Sequence, residues 1–295
     1  LNVNIKVKPL HPLFAAEMTG VDLRTPPPPE LVESIDAAMD QYAVVVVRDQ
    51  YLDDDQQLAF ARAMGPLEPF VAVVDQHLHR LKYREMVDIS NLDVDGSVMA
   101  ADDRRRMFNL GNLLWHSDSS FKAIPAKYSM LHARVIPPVG GQTEFADMRA
   151  AYDALPEAEK VRIEPLVCDH SLIYSRALLG FDAWTEQEAQ QFAPVPQRLV
   201  RRHAGSGRRS IYLSAHIGTI HGWRRPEAMV LIRELMEHAT QPRFVYRHEW
   251  RLHDLVIWDN RCTMHRARPY DDRRFKRDMR RLTLEDSAST LEQPL

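Results

Sequence analysis

Ala43–Arg48 reads AVVVVR, and those four consecutive valines constrain the fold more than any other stretch of the chain. β-Branched side chains are stiff at χ1 and pack well on a pleated surface, so the run is a strand. Strand side chains alternate between faces, so a strand solvated on one side would leave two of the four valines in water. The run therefore predicts a strand covered on both faces.

The neighbouring sequence offers covering layers. After the rigid turn TPPPPE at 25–30, LVESIDAAMDQY carries apolar residues at helical spacing and predicts a helix over 31–42. DDDQQLAFARAMG predicts a second helix, with acidic residues at its positive end and Gly65 past its last turn. Residues 69–112 are irregular and charged apart from the strand-like MVDISN, which predicts a lid or binding segment within a single domain spanning 1–295.

From residue 113 onward short strands dominate: YSMLHARVI, LVRRHA, SIYLSAHI, FVYRHEW and DLVIWDN. Two helical inserts interrupt them, DMRAAYDALPEAEKVRI and RPEAMVLIRELMEHAT. The pattern predicts a mainly β fold with helical insertions, a sandwich or jelly roll. A doubly wound fold is disfavoured, because strict strand–helix alternation and a glycine-rich phosphate loop are both absent. The GSG at 205–207 reads as a hairpin turn.

Composition narrows the function classes. A formal net charge of −3 and a pI near 6.5 argue against bulk nucleic-acid binding. No apolar run approaches the roughly 20 residues of a bilayer span, and no secretory leader is expected from LNVNIKVKPL. Two cysteines, Cys168 and Cys262, cannot build a disulfide framework, which fits a cytoplasmic protein.

The chemistry concentrates in LWHSDSSF at 114–121. Residues i and i+2 of a strand share a face, so His116 and Asp118 can aim together while Ser117 faces away. One imidazole and one carboxylate leave a divalent ion short of ligands. His265, in WDNRCTMHRARPY after the strand LVIWDN, is the best third candidate. Two His and one carboxylate with open positions form the donor set of non-haem Fe(II) oxygenases. Either histidine alone is more often structural, and what strengthens the set is FKRDMRRLTL. At period 2, Arg277, Met279 and Arg281 share one face. Two inward arginines beside a cationic metal repel unless anions lie between them, and a metal-bound dicarboxylate supplies those anions.

The chain resembles the taurine dioxygenase family of Fe(II)/2-oxoglutarate-dependent oxygenases, and within it the branch of 2,4-dichlorophenoxyacetate dioxygenases. The resemblance runs from HPLFAAEMTGVDLR through LWHSDSSF, GGQTEFADMRAAYDALP and WDNRCTMHR to MRRLTL. It implies a double-stranded β-helix, a jelly roll carrying helices. His116, Asp118 and His265 match the iron ligands; Thr143 and Arg277 match the residues that hold 2-oxoglutarate, Arg277 on its distal carboxylate. Arg281 matches a second arginine near the carboxylate end of cosubstrate or substrate. His203 and His216, expected in neighbouring strands joined by the GSG turn, are candidates to bind substrate. The implied cofactors are Fe(II), 2-oxoglutarate and O2, with stimulation by ascorbate. The chemistry implied is oxidative decarboxylation of 2-oxoglutarate coupled to hydroxylation of a small anionic aromatic substrate, above all an aryloxyacetate. A homo-oligomer is also expected.

The sequence departs from the herbicide-degrading branch at Val73 and Ser97, which stand where lysines are expected in the lid, and at Thr219, which replaces a histidine. These departures leave the iron chemistry intact and bear on the substrate. Two rivals stay open: a sulfonate or other small-carboxylate dioxygenase of the same family, and a non-catalytic metal-binding jelly roll. Trp115 and Trp258 are expected as core aromatics that flank the ligand segments. Asp147 reads as a helix N-cap, with Arg149 and Asp153 on the surface beside it. No Gly-x-Ser-x-Gly elbow accompanies the serines of SDSS, so hydrolase chemistry of that type is excluded.

Overall fold

The computed structural model describes residues 5–69, 71 and 79–295. The valine run forms the strand Val44–Val47, every residue of it buried, between a parallel neighbour, Ala16–Thr19, and an antiparallel one, Leu255–Asp259. These belong to a seven-stranded sheet that runs, edge to edge, Lys6–Pro9, Ala16–Thr19, Val44–Val47, Leu255–Asp259, Ala126–Val135, Asp278–Glu285 and Val87–Ser90.

Alternation sorts the side chains of this sheet into two cores. Val45, Val47, Met130, Leu255, Ile257, Leu282 and Leu284 face one way, onto the helices Pro29–Tyr42 and Asp54–Met64. Val44, Val46, Leu131, Val256, Trp258 and Met279 face the other, onto Phe145 of a second sheet. Each buried valine contributes about 1.5–3 kcal/mol relative to exposure, which is why this strand sits where both faces are covered.

The second sheet is antiparallel, with Thr143–Asp147 between Val245–His248 and Thr263–Ala267. Two smaller sheets extend that layer: Ile217–Ile220, Val167–His170 and Val195–Arg198 in one, Val200–Arg202 with Arg209–Ile211 in the other. The helix Arg225–Ala239 packs behind them in a third core. The architecture is the expected jelly roll with helical insertions, and the GSG turn does join two antiparallel strands.

Several local expectations are corrected. The insert at 147–163 is two helices, Met148–Asp153 and Glu157–Ile163, broken at Pro156, which lacks an N–H and disfavours the α conformation of the residue before it. SIYLSAHI is not one strand; Arg209–Ile211 ends at its second residue, and Ile217–Ile220 begins at its last. In the 69–112 segment the strand expected from MVDISN does form, as Val87–Ser90 at the edge of the large sheet, while Arg104–Asn109 is a helix where irregular chain was expected. Val73 lies outside the described residues. Arg149 is fully buried rather than on the surface; it pairs with Asp147 and donates to the carbonyls of Asp40 and Gln41. Asp147 does cap its helix, accepting from the Arg149 amide, and Asp153 is exposed. Among the described residues no helix is long and apolar enough to cross a membrane.

Candidate metal centre and its two cavities

His265 lies in the strand Thr263–Ala267, paired on one side with Phe145. On its other side it makes a single two-way bridge with His116, the amides donating at 3.0 and 2.8 Å. The two imidazoles thus emerge side by side, with ring centroids 4.2 Å apart. The chain does not continue as a strand to Asp118, as the i, i+2 argument required. It turns immediately after His116, and Ser119 takes a left-handed φ of 53°. Asn260 holds this turn: its carbonyl accepts from Ser117 Oγ at 2.8 Å and its Oδ1 from the Asp118 amide at 3.1 Å.

The three side chains nevertheless converge. His116 Nε2 lies 3.7 Å from Asp118 Oδ1, and His265 Nε2 lies 3.6 Å from Oδ2. His116 Nδ1 donates to the Leu114 carbonyl at 2.7 Å, which leaves the Nε2 lone pair facing inward. Asp118 Oδ2 accepts from Ser129 Oγ at 2.7 Å and Oδ1 from Arg281 Nη1 at 2.6 Å. Burial alone would raise the Asp118 carboxyl, but Arg281, His265 and His116 outweigh it and hold it well below the usual carboxylate range. Burial and His116 push His265 well below the ordinary imidazole value, against the pull of Asp118. Two imidazole nitrogens and an ionised carboxylate within 4.8 Å of one another are a donor set that suits Fe(II). The residues fit such an ion.

Two cavities meet at this cluster, and His116 and Arg281 line both. One, of about 320 Å³, is walled by Thr143, Trp258, His265, Tyr270 and Arg277. Thr143 Oγ1 accepts from Trp250 Nε1 at 3.0 Å, which fixes its hydroxyl. The Arg277 amide donates to Asn91 Oδ1 at 2.8 Å, while its guanidinium, 6% exposed by residue, has no carboxylate partner among the described residues. Burial pushes it down to about 10, against a smaller pull from Tyr270, whose phenol burial pushes up to about 12. A buried unpaired cation is costly, and an anion in this cavity removes the cost. Arg281 and Met279 do share the inward face with Arg277, while Arg280 faces outward beside Asp54 and Gln57.

The other cavity, of about 240 Å³, is walled by Phe108, Phe121, Arg176, Phe192 and His216. His216 packs edge-on to Phe121 and lies 6.1 Å, ring to ring, from His116. His203 does not join it. Its Nε2 is 2.8 Å from Asp259 Oδ2, its Nδ1 is 2.9 Å from Ser206 Oγ, and it lines neither cavity. The hairpin that was expected to bring the two histidines together points His203 into a separate buried cluster with Asp259, Arg261 and Cys262. Ser97 and Thr219 also line neither cavity. Trp258 is both core and wall, its ring tilted against His265 at 4.7 Å between centroids, whereas Trp115, half-buried, packs against a core and lines neither cavity. Arg176 was missed by sequence reasoning; in YSRALLG nothing distinguishes it from a surface arginine.

Comparison with known proteins yields three kinds of likeness. The family model described as taurine catabolism dioxygenase TauD, TfdA family matches residues 6–283. The chain is 48% identical over 281 residues to the α-ketoglutarate-dependent 2,4-dichlorophenoxyacetate dioxygenase of Burkholderia sp. (strain RASC), covering 95% of this chain and 94% of that one. It is likewise 48% identical over 286 residues to the enzyme of that name from Cupriavidus pinatubonensis, covering 97% and 99%. The crystal structure of AAD-2 in complex with Mn(II) and N-oxalylglycine is similar with a TM-score of 0.94 and 52% identity, over 97% of this chain and 99% of that one.

Proposed function

The chain belongs to the TauD/TfdA family of dioxygenases, and on that premise we propose that it hydroxylates an aryloxyacetate, with His116, Asp118 and His265 as the ligands of its iron. It is an oxidoreductase that consumes 2-oxoglutarate and O2 at a metal centre. Bound there, the metal supplies O2 activation, which couples decarboxylation of 2-oxoglutarate to insertion of oxygen into a C–H bond.

The protein's own groups bind and orient. Arg277 takes the distal carboxylate of 2-oxoglutarate, and Thr143, held by Trp250, fixes the same molecule. Arg281 holds Asp118 in its ionised form and borders both cavities. Trp258 and Tyr270 exclude water from the cosubstrate, and Phe108, Phe121 and Phe192 give the second cavity walls suited to an aromatic ring. Hydroxylation of the carbon beside the ether oxygen gives a hemiacetal that collapses to a phenol and glyoxylate.

The observation that carries the reading is Arg277, a buried guanidinium without a carboxylate partner among the described residues, in a cavity that reaches two of the three proposed ligands. The test is turnover with Fe(II), 2-oxoglutarate and ascorbate, following succinate and loss of the organic substrate together. We expect kcat/KM for an aryloxyacetate to exceed that for taurine by about tenfold or more. The reverse preference, or succinate release with no loss of any aryloxyacetate, contradicts the substrate while leaving the iron site standing.

A further inference from the structure

Arg176 sits in the short helix Leu172–Ala177 and reaches the wall of the smaller cavity. It is 6% exposed, and no carboxylate among the described residues pairs with it. Its only hydrogen bond among them is a long one, Nη1 to the adjacent Ser175 Oγ at 3.4 Å. Nε is buried with no partner, and Nη2 makes no hydrogen bond to a described residue either. The Nε/Nη2 edge is the fork that takes a carboxylate side-on elsewhere in this same chain. It does so from Arg80 to Asp88, from Arg106 to Asp272 and from Arg261 to Asp259. In Arg176 that fork makes no hydrogen bond to any described residue.

The guanidinium is also held in place. The Phe108 ring lies 4.4 Å from its centre. Gly111 lies against it as well: a Cβ built there would be 2.1 Å from Cζ and 2.4 Å from Nε. Any side chain at position 111 would displace the guanidinium, so the close approach requires glycine. Such confinement of a long cationic side chain costs rotamer entropy and desolvation, which a surface arginine does not incur.

His216, one polar neighbour in this cavity, is unsuited to hold an anion. Ser175 Oγ gives its proton to the Leu172 carbonyl at 2.8 Å, so the 2.8 Å contact with His216 requires the proton on His216 Nδ1. Burial first, then Arg176 and His116, hold that imidazole neutral, so His216 Nε2 presents a lone pair.

We propose that Arg176 binds the acidic group of the organic substrate side-on through Nε and Nη2, and so selects anions over their neutral isosteres. The aromatic body then lies along Phe121 and Phe192, with the carbon next to the acid directed toward His116 and Asp118. This rests on the aryloxyacetate reading for the identity of the acid, but not for the role of Arg176.

The test is calorimetric binding to protein loaded with Mn(II) and the unreactive N-oxalylglycine, which needs no turnover. Phenoxyacetate is compared with phenoxyacetamide, and taurine with a neutral alkyl sulfonamide. The native chain should prefer one acid over its neutral partner, and Arg176→Gln should weaken that acid by roughly 30-fold or more while shifting the neutral ligand by less than about 3-fold. Arg176→Lys should recover part of the loss, since an ammonium lacks the fork. Gly111→Ala keeps the charge but displaces the head, and should weaken the acid by about 10-fold; it decides the matter if Arg176→Gln melts early. The affinity for N-oxalylglycine should stay within about 2-fold in every variant, because Arg277 serves that molecule. If the native chain selects the sulfonate and Arg176→Gln abolishes that selection, the aryloxyacetate falls and the role of Arg176 stands. Undiminished preference for the acid in both Arg176→Gln and Gly111→Ala, or no preference for either acid in the native chain, overturns the proposal.

Discussion

Among the described residues, two buried clusters bring a histidine, a carboxylate and a third potential ligand together, and only one of them can serve as a metal site. His116, Asp118 and His265 have their donor atoms within 4.8 Å of one another, and so do His203, Asp259 and Cys262. In the second cluster the protein supplies the cation itself. Arg261 grips Asp259 with Nε on Oδ1 at 2.9 Å and Nη2 on Oδ2 at 2.7 Å, while His203 takes Oδ2 as well. Burial pushes the Cys262 thiol up beyond the usual range, with Asp259 adding to it, so no thiolate is on offer. In the first cluster Arg281 reaches only one oxygen, the imidazole Nε2 atoms face the carboxylate, and two cavities give access. Proximity of donors therefore says little; what separates a site from a structural knot is whether fixed cations already saturate the carboxylate.

The largest effect should come from breaking the open cluster. His116→Ala, Asp118→Ala and His265→Ala should each lower turnover by at least about 10³-fold and reduce bound Fe(II), with melting temperature little changed; metal analysis and succinate release check this. Cys262→Ser should leave iron stoichiometry intact. Retained iron and turnover in a triad variant would remove that residue from the ligand set.

Breaking the closed cluster should cost stability instead. Asp259→Asn leaves Arg261 buried without its carboxylate and should destabilise the fold by about 3–5 kcal/mol, read from denaturant unfolding, with KM for 2-oxoglutarate unchanged in the folded fraction. A loss of metal binding without a loss of stability would reverse the assignment of the two clusters.

The cavity beside the open cluster is tested by Arg277→Ala. Losing a charged fork in a partly dry site costs about 2–4 kcal/mol, so KM for 2-oxoglutarate should rise roughly 30- to 1,000-fold, and far less for the organic substrate. Arg277→Lys should recover only part of this.

The smallest effect separates burial from pairing. His170 belongs to neither cluster, and burial pushes it down to about 3. The unfolded chain binds that proton near pH 6.5 and the folded chain does not, so stability falls as pH drops below that value. Between pH 7 and 5 the loss from this one residue is about 2 kcal/mol, and His170→Gln should flatten the unfolding profile by that amount.

What the sequence could reveal follows the range of the interactions involved. The valine strand, the helix Asp54–Met64 with its acidic first turn, and the inward face of Arg277 and Arg281 are local patterns, and the structure keeps them. The order of the seven-stranded sheet is not local: Leu255–Asp259 lies between Val44–Val47 and Ala126–Val135. His203 depended on a partner 56 positions away, and the hairpin argument could not see Asp259. Arg176 was hidden for the same reason, since its burial is made by Gly111 and Phe108 on a different segment. The bend after His116 escaped the period-2 argument because Asn260, remote in sequence, fixes it.

The most direct test of the central claim is anaerobic titration of the Fe(II)-loaded protein with 2-oxoglutarate, followed in the visible range. Chelation of an iron held by His116, Asp118 and His265 should produce a charge-transfer band that saturates at one 2-oxoglutarate per iron and weakens its apparent affinity strongly in Arg277→Ala. Iron bound tightly with no band at saturating 2-oxoglutarate would contradict the account and favour a metal-binding module without oxygenase chemistry.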